Sequence, residues 1–407
     1  FAFGGAWRLS SEKFMSSISY LEDLKLKVSW GKNGNQGLDP YGTLSTINNG
    51  ASGGVRYEFG GSDIIYGLNQ KALGNANLGW ETTESWNTGF ESAWLGSRLF
   101  VDLDLYFSKT TDQIFTRDIP VMTGFKNMKS SMGQVNNRGV ELTIRSVNTN
   151  TQDWYWTTNL TFWLNRNKLV HLYGEDLNGD GKEDDDISNS RFIGKPLGAI
   201  YGYQQDGIVQ ETDIEYMKAN GATPGIPKYK DMDNDGVITS ADRVILGYST
   251  PNFKLNMSNT ITYKNWDLYF MLTGTFGGGG YYQKSNKGAY LTNGSGRFNT
   301  NGIYIPWWTP ENKSNEYPAA TFNDDGGRFL GLQNRAFVRL QDVTLSYTFR
   351  EPWVQKVNIQ NLKVFFTAKN LFTITKWQGG DPEVGVTVSE NTYPVLTSFS
   401  LGANISF

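Results

Sequence analysis

Thr397-Ser-Phe-Ser-Leu-Gly-Ala-Asn-Ile-Ser-Phe407 alternates strictly between bulky apolar residues and small or polar ones. Successive side chains of a β-strand point to opposite sides, so this stretch predicts a strand with one apolar face. Two structures need such a strand. One is the edge of a soluble sheet, and the other is the wall of a transmembrane barrel, with lipid on one side and water on the other.

The composition favours the membrane alternative. Of the 407 residues, 38% are hydrophobic and 14% are aromatic, and the chain holds 46 Gly, 24 Phe, 21 Tyr and 13 Trp. This mixture is typical of strands that face lipid on one side and water on the other, with Tyr and Trp at the interfaces. Soluble β-proteins can also be rich in aromatic residues, so composition does not decide the question alone.

Several classes of function are excluded or disfavoured by what the sequence contains. The net charge of −3 predicts no nucleic-acid partner. The absence of cysteine excludes disulfides, thiol catalysis and thiolate metal sites. The single histidine, His171, excludes a multi-histidine zinc site and is interpreted as a loop residue near a strand end. No nucleophile–base pair can be argued from spacing, so the chain is not expected to be an enzyme.

Alternating segments recur along the whole chain and predict about eleven strands of roughly ten residues, the length that crosses a bilayer at a tilt. No apolar run approaches the roughly 18 residues of a membrane helix. The predicted strands fall at residues 1–9, 24–30, 86–94, 99–107, 140–145, 154–164, 255–263, 266–272, 343–349, 362–366 and 397–407.

The predicted connections are of two kinds. Those at 96–97, 149–152 and 264–265 are tight, whereas those at 34–76, 111–137, 171–250 and 277–335 are long. Short turns on one side and long loops on the other are typical of a transmembrane barrel, and loops of this length are unusual in compact soluble domains. A soluble sandwich explains the alternation but not this asymmetry, so the barrel is preferred.

Charged residues support the same assignment of faces. A charge facing lipid costs roughly 2–4 kcal/mol at mid-bilayer, whereas one facing a hydrated lumen does not. Six charged residues lie opposite the apolar stripes and are therefore predicted to point into a lumen. They are Asp102, Asp104, Glu141, Arg145, Lys363 and Lys369.

The strand count predicts that more of the wall lies upstream. Bacterial barrels of this kind have an even number of strands, and eleven is odd. The chain also opens on a segment, Phe1–Leu9, that already has the pattern of a strand and carries no initiator Met. We therefore expect residues 1–407 to be the C-terminal part of a longer barrel protein.

One motif predicts a calcium site. Residues 231–242, Asp-Met-Asp-Asn-Asp-Gly-Val-Ile-Thr-Ser-Ala-Asp, match the spacing of an EF-hand loop, including the Gly at the sixth position that permits a sharp turn. The departure is an Asp where the last position is usually Glu. Three crowded carboxylates repel one another unless a cation neutralises them. The alternative is a solvated acidic turn. The predicted Ca²⁺ ligands are Asp231, Asp233, Asp235, the carbonyl of Val237, Thr239 and Asp242.

Two further segments are open to a functional and a structural interpretation. Residues 176–184 match the first half of the calcium motif, but Ile187 occupies the last position, so a cation-free Asn/Asp/Gly turn is slightly favoured. The loop after Gly277–Gly280 is rich in aromatic residues that could stack on sugar rings, although the interpretation that they hold loops together is preferred. These residues are Tyr281, Tyr282, Tyr290, Tyr304, Trp307 and Trp308.

Short segments spread along the chain resemble the C-terminal half of the SusC/RagA family of TonB-dependent outer-membrane transporters from Bacteroidota. The matching segments are Ala6–Ser10, Leu24–Asn35, Tyr201–Tyr203, Asp206–Ile208, Lys228–Gly236 with Asp242, Arg243, Gly247 and Pro251, Val338–Tyr347, Ala368–Phe372 and Gly402–Phe407.

The resemblance implies an all-β transmembrane barrel of about 22 strands, with a plug and a TonB box upstream of this chain. It implies an outer-membrane location, a SusD-like surface lipoprotein as an extracellular lid, and energy from TonB, ExbB and ExbD. Its expected cargo is an oligosaccharide or a peptide. Two alternatives stay open: a TonB-dependent siderophore or cobalamin transporter without a lid, and a calcium-binding surface adhesin.

Overall fold

The computed structural model describes residues 1–38, 40–49, 56–58, 64–281, 306–320, 322, 332–350, 352–356, 359–377, 381–383 and 395–407. Contacts divide the chain into two compact units. The first comprises Phe1–Ala93, Asp102–Glu141 and Asn165–Leu197, and the second comprises Trp94–Val101, Leu142–Leu164 and Gly198–Phe407.

The main structure is an eleven-stranded sheet in which each strand lies beside its neighbour in sequence. The first two strands, β1 and β2, pair in antiparallel orientation. Each adjacent pair from β6 to β11 does the same. The strands are β1 Ala2–Arg8, β2 Leu21–Asn35, β3 Glu81–Trp94, β4 Leu99–Asp118, β5 Asn127–Asn150, β6 Trp154–His171, β7 Pro251–Tyr263, β8 Trp266–Gly277, β9 Phe337–Phe349, β10 Asn361–Thr375 and β11 Ser398–Ser406.

All eleven predicted segments are strands of this sheet, but one predicted long loop is wrong. Strands β4 and β5 continue well past the predicted ends, and only residues 119–126 connect them. The outer parts of both strands have no continuous apolar stripe, because a hairpin that extends beyond the bilayer does not need one. The alternation of hydrophobicity therefore ends before the backbone pairing does.

In the second unit, the apolar stripe forms a continuous exposed surface. Register places Leu268 beside Leu345, Leu345 beside Phe366, and Phe366 beside Leu401. The exposed fractions of the last three are 42%, 46% and 79%. So large an apolar surface is expected to contact lipid. On the opposite face, Lys363 Nζ lies 2.9 Å from Asp267 Oδ2, so these two charges are paired.

In the first unit, two of the predicted lumen-facing carboxylates, Asp102 and Asp104, also have a partner. Lys27 Nζ lies 2.8 Å from both Asp102 Oδ1 and Asp104 Oδ2. Lys25 Nζ lies 3.1 Å from Glu91 Oε2. Alternation along β2, β3 and β4 puts all five side chains opposite the apolar stripe, as the sequence predicts for Asp102 and Asp104.

Aromatic rings gather at the short-turn ends of β6 to β9. Trp154 and Tyr263 have ring centroids 4.4 Å apart, and Trp266 and Tyr347 have centroids 4.8 Å apart. Trp353, in the turn after β9, packs edge-on against Phe349. Amphipathic rings in this position form the interfacial girdle of a membrane barrel.

The longer connections contain short elements of their own. In the first unit, Thr46–Asn49 pairs with Leu68–Ala72, and Arg56–Glu58 pairs with Ile64–Tyr66. In the second, Ala199–Tyr203 pairs with Arg243–Tyr248, Gln205–Ile208 with Pro227–Tyr229, and Gly279–Tyr281 with Leu332–Asn334. The α-helices are α1 Ile214–Asn220 and α2 Pro352–Lys356, and the 3-10 turns are Leu9–Ser11, Lys13–Met15, Val121–Thr123, Ile187–Asn189 and Ser240–Asp242.

Small buried cores lie away from the apolar stripe. In the first unit, Phe115, Val135, Leu169 and Leu172 form one cluster, which fastens the connection after β6 to the extended β4–β5 hairpin. In the second unit, Ile208 and Val209 are almost completely buried. Within the described ranges, no helix is both long and apolar enough to span a membrane.

The assignment of faces predicts opposite outcomes for adjacent residues of β11. Leu401→Lys places a charge near the middle of the strand on the lipid side and should destabilise the complete barrel by roughly 2–4 kcal/mol. Ser400→Lys, on the other face, should change stability by about 0.5 kcal/mol or less. Denaturant unfolding in lipid vesicles measures both variants. Equal losses would contradict the assignment.

Candidate metal centre

The predicted calcium loop lies in the second unit, in the connection between β6 and β7. It joins the short strand Pro227–Tyr229 to the strand Arg243–Tyr248 and is not enclosed by a helix pair. Asn234 and Gly236 adopt left-handed backbone angles, with φ of 64° and 85°, which explains the glycine at the sixth position. The amide of Ile238 donates to Asn220 Oδ1 at 2.6 Å, so the loop is attached to the end of α1.

Three of the predicted ligands converge. Carboxylate oxygens of Asp231, Asp233 and Asp235 lie within 4.8 Å of one another. Loss of hydration and the charges of Asp235 and Asp242 raise the pKa of Asp233 above its ordinary value. Loss of hydration is the largest cause of this shift and the crowding of like charges adds to it, and a divalent cation bound among the carboxylates would oppose it.

Backbone amides hold these carboxylates in place. Asp231 accepts from the amide of Asn234 at 2.6 Å and from the amide of Gly236 at 2.7 Å. Asp235 accepts from the amide of Val237 at 2.8 Å. The side chain of Asp231 therefore closes the turn. The path of the backbone then places the other two carboxylates beside it.

The two remaining predicted side-chain ligands, Thr239 and Asp242, organise the end of the loop. Asp242 is completely buried and accepts from the amides of Met232 and Thr239, each at 2.7 Å. The Thr239 hydroxyl caps the following 3-10 turn by accepting from the amide of Ala241 at 3.2 Å. The amides of Thr239 and Met232 hold the pKa of the Asp242 carboxyl below its ordinary value, so the residue is anionic at neutral pH.

Residues 176–184, in the first unit, form a second loop with the same bonding pattern. Asp176 accepts from the amide of Gly181 at 2.9 Å, as Asp231 does from Gly236. Asp184 accepts from the amide of Leu177 at 2.6 Å, the contact that Asp242 makes with Met232. The predicted motif includes Asp184 but does not assign it this role, because it stands at the ninth position, three residues before the position that is usually acidic.

His171 and Glu183 fix the base of this second loop. His171 is the last residue of β6, as predicted, and its Nδ1 lies 2.6 Å from Glu183 Oε2. The amides of Leu172 and Gly174 both donate to Glu183 Oε1 at 2.7 Å. Although partial burial works in the opposite direction, the amides of Gly174 and Leu172 hold the pKa of Glu183 below its ordinary range.

The aromatic loop is described only in part. Trp308 is buried and its Nε1 donates to Gln210 Oε1 at 2.9 Å, so for this residue the packing interpretation is confirmed. Tyr282, Tyr290 and Tyr304 lie outside the described residues.

The architecture matches a known family. The family model described as "TonB dependent receptor-like, beta-barrel" matches residues 6–371. The chain belongs to this family. The match covers ten of the eleven wall strands and both candidate loops, so the predicted all-β barrel wall and the outer-membrane location are confirmed.

Individual relatives point to one branch of the family. Over 99% of its length the chain is 28% identical to TonB-dependent receptor P3 of Formosa agariphila, of which it covers 41%. Over 98% of its length it is 29% identical to TonB-dependent receptor SusC of Bacteroides thetaiotaomicron, of which it covers 39%. The chain thus spans about two fifths of the length of the relatives it matches.

Solved structures agree with the fold. The RagAB peptide importer in its "open-open" state superposes on the whole chain with a TM-score of 0.77 at 24% identity, and the chain covers 42% of that protein. The "closed-closed" state gives the same TM-score with 43% coverage. The predicted kinship with SusC/RagA proteins is confirmed, and the proteins matched are named as receptors and importers.

The bonding of Asp242 predicts a local effect of its substitution. Asp242→Asn should speed hydrogen exchange at Met232 and Thr239 by roughly tenfold or more, because charge-assisted acceptors are lost. The lowered pKa means that this stabilisation is present above the ordinary value of 3.8 and is lost as the pH falls through the lower folded value. Exchange mass spectrometry of peptides covering 231–242 measures the effect.

A matched control is Asp206→Asn, which removes an exposed carboxylate from the neighbouring segment 205–208. It should leave exchange at Met232 and Thr239 unchanged. If both variants accelerated exchange equally, the contacts of Asp242 would not be what orders the loop.

Proposed function

We propose that this chain forms the C-terminal wall of a SusC-like TonB-dependent transporter that imports oligosaccharides or peptides across the outer membrane. The observation that carries the proposal is the eleven-stranded sheet, whose exposed apolar stripe faces lipid and whose opposite face carries paired charges. The family match, the likeness to SusC and the likeness to a peptide importer support it.

A SusD-like surface lipoprotein is proposed as the partner that closes the extracellular side. The support is the segmental resemblance to SusC/RagA proteins and the two-component RagAB importer, which has been solved in open and closed states. Transport would draw its energy from TonB, ExbB and ExbD through the part of the protein upstream of residue 1. A surface adhesin is disfavoured, because it would leave the apolar stripe of β8 to β11 in water.

Deletion and purification test this proposal together. Loss of the full-length protein should abolish growth on, and uptake of, at least one class of oligosaccharide or peptide. Detergent purification of the tagged protein should recover a surface lipoprotein in equal amount. Recovery of the barrel alone, with uptake of a metal chelate or cobalamin lost, would favour a transporter without a lid. Release from membranes without detergent would contradict both forms of transporter.

We also propose that the 231–242 loop binds a structural Ca²⁺. The carboxylates of Asp231, Asp233 and Asp235 converge, and hard oxygen ligands in this arrangement suit Ca²⁺. The Val237 carbonyl, Thr239 and Asp242 would complete the set. The cation would hold together strands 227–229 and 243–248 and the end of α1, and so would stiffen the extracellular connection between β6 and β7.

Removing one ligand tests the calcium proposal. Asp233→Ala should reduce Ca²⁺ binding by one site in calorimetric titration of the full-length protein, because the central carboxylate of the cluster is lost. It should also increase proteolysis within 231–242. Glu215→Ala, on α1, removes a nearby charge outside the cluster and serves as control. An unchanged titration in the Asp233 variant would rule out the site.

A further inference from the structure

A group of four cations lies on the lipid side of the wall, at the extracellular end of the apolar stripe. They belong to three neighbouring strands, β4, β5 and β6, and to the first unit. The side chains of Lys109, Arg138 and Lys168 are exposed, and that of Arg166 is partly exposed. The proposed transport function uses none of them.

Hydrogen bonds on the opposite face fix the orientation of these strands. Tyr106 lies on the lumen side of β4 together with Asp102 and Asp104, since alternate residues share a face. Its hydroxyl donates to Asn165 Oδ1 at 3.0 Å, and Asn165 Nδ2 donates to Asn137 Oδ1 at 3.4 Å. Asn137 on β5 and Asn165 on β6 therefore also face the lumen.

The residues that follow these two asparagines face lipid. Arg138 follows Asn137, and Arg166 follows Asn165. Because the two asparagines are bonded to each other, the two guanidinium groups lie on adjacent strands at nearly the same height. Lys168 stands two residues beyond Arg166, on the same face of β6.

Lys109 extends the group onto β4. The hydroxyls of Thr110 and Thr83 lie 2.9 Å apart. Thr83 shares the lumen face of β3 with Glu91, which pairs with Lys25. Thr110 therefore faces the lumen, and Lys109, the residue before it, faces lipid.

The group keeps a net positive charge. Glu84 on β3 is also on the lipid side, and its Oε1 accepts from the indole of Trp30 at 2.8 Å. Lys109, Arg138 and Lys168 form no ion pair with another residue in the described part of the chain. A plug inside the lumen would lie on the other side of the wall, so lipid is what meets these side chains.

The position along the strands places the cations at the level of the outer-leaflet headgroups. They stand about ten to fourteen residues from the short-turn ends of β4, β5 and β6. A tilted strand rises about 2.5 Å per residue along the membrane normal, and the apolar band of a barrel is about 25 Å tall. The charges therefore lie at or just beyond the upper edge of the band.

The side chains of β5 change character at the same level. Val140, on the lipid face below Arg138, is apolar. Asn136 and Gln134, on the same face above Arg138, are polar and are joined by a hydrogen bond of 3.0 Å. Arg138 thus stands at the boundary between the hydrocarbon region and the aqueous region.

Other strands lack this basic character at the same depth. In the second unit, the lipid face of β7 to β10 carries Phe253, Phe276, Val338 and Ile374 there, and register pairs Phe253 with Phe276 and Val338 with Ile374. A charge near the interface costs only about 0–1 kcal/mol, so tolerance alone would allow either sign on any strand. Four cations on three adjacent strands indicate an anionic ligand.

We propose that Lys109, Arg138, Arg166 and Lys168 bind the phosphate-bearing headgroup of an outer-leaflet lipid, the class to which lipid A belongs. The two arginines hold phosphate oxygens through paired N–H groups, and the two lysines add point charges. The acyl chains of the same lipid lie against the apolar stripe below. The inference depends on the outer-membrane location of the wall and not on the cargo.

Titration of the full-length protein with lipid A tests the site. Native mass spectrometry from detergent micelles measures the bound lipid at each concentration of phosphorylated or dephosphorylated lipid A. The dephosphorylated form should need a concentration about tenfold higher or more for half-saturation, because the charge-assisted bonds are lost. Inorganic phosphate in excess should leave lipid A bound, since it lacks the acyl chains that contact the stripe.

A double variant removes the arginines from the site. Arg138→Gln with Arg166→Gln should raise the half-saturating concentration of phosphorylated lipid A by about tenfold or more and leave that of the dephosphorylated form unchanged. The matched control is Lys126→Gln with Lys369→Gln. It removes the same charge from the connection between β4 and β5 and from the lumen face of β10, and should change neither value. Heat-dependent migration on gels shows that each variant is folded.

Three results would overturn the proposal. Equal binding of the two forms of lipid A would show that phosphate is not recognised. Equal weakening in the two double variants would show that only overall charge matters. Displacement of lipid A by inorganic phosphate would assign the cations to a free anion. None of these measurements uses uptake, so they are independent of the proposed transport function.

Discussion

Every backbone amide of a strand within a bilayer must be hydrogen-bonded to a neighbouring strand, because lipid offers no alternative partner. This constraint explains the simple topology of the sheet, in which each strand pairs with the next one in sequence. It also explains the tight turn at Lys264, whose left-handed φ of 53° lets the last residue of β7, Tyr263, pair with the first residue of β8, Trp266. Once the register is fixed, alternate side chains are committed to lipid or to water.

The same constraint applies to polar side chains that fall on the lipid side. Asn259 lies between Met257 and Ile261 on the apolar stripe, yet it is only 4% exposed. The indole of Trp156 donates to its Oδ1 at 2.9 Å, and the hydroxyl of Thr158 donates at 2.6 Å. The Trp156 ring thus covers the amide while satisfying its own N–H. A polar group is tolerated here because its bonds are completed within the wall.

The loops are held by a different device. The loops contain few paired strands. Carboxylate side chains therefore accept the hydrogen bonds of backbone amides that a neighbouring strand would accept in a sheet. Asp231 and Asp242 do this in one loop, and Asp176 and Asp184 do it in the other. Asp231, Asp242 and Asp176 each accept from two or more backbone amides and Asp184 accepts from one, so each carboxylate shapes the backbone around it. A bound cation would add to this arrangement and would not be needed to create the turn.

The difference between wall and loops determines what could be predicted from sequence. The wall depends on a period of two, and all eleven strands followed from it. It underestimated the lengths of several strands, most of all β4 and β5, whose outer parts lie where lipid no longer imposes the pattern. In the loops, single side chains decide the structure. The first Asp-rich loop was found because its spacing is that of a known motif, and the role of Asp184 was missed because its bond to Leu177 follows from backbone geometry alone.

The physics of the wall also limits what resemblance to relatives can say about cargo. A period of two is satisfied by many sequences, so the fold persists at 24% identity with a TM-score of 0.77. Agreement over the lipid stripe therefore carries information about location and none about ligand. Cargo recognition must depend on residues that the alternation of apolar and polar side chains does not constrain. These are the lumen-facing side chains and the residues of the loops.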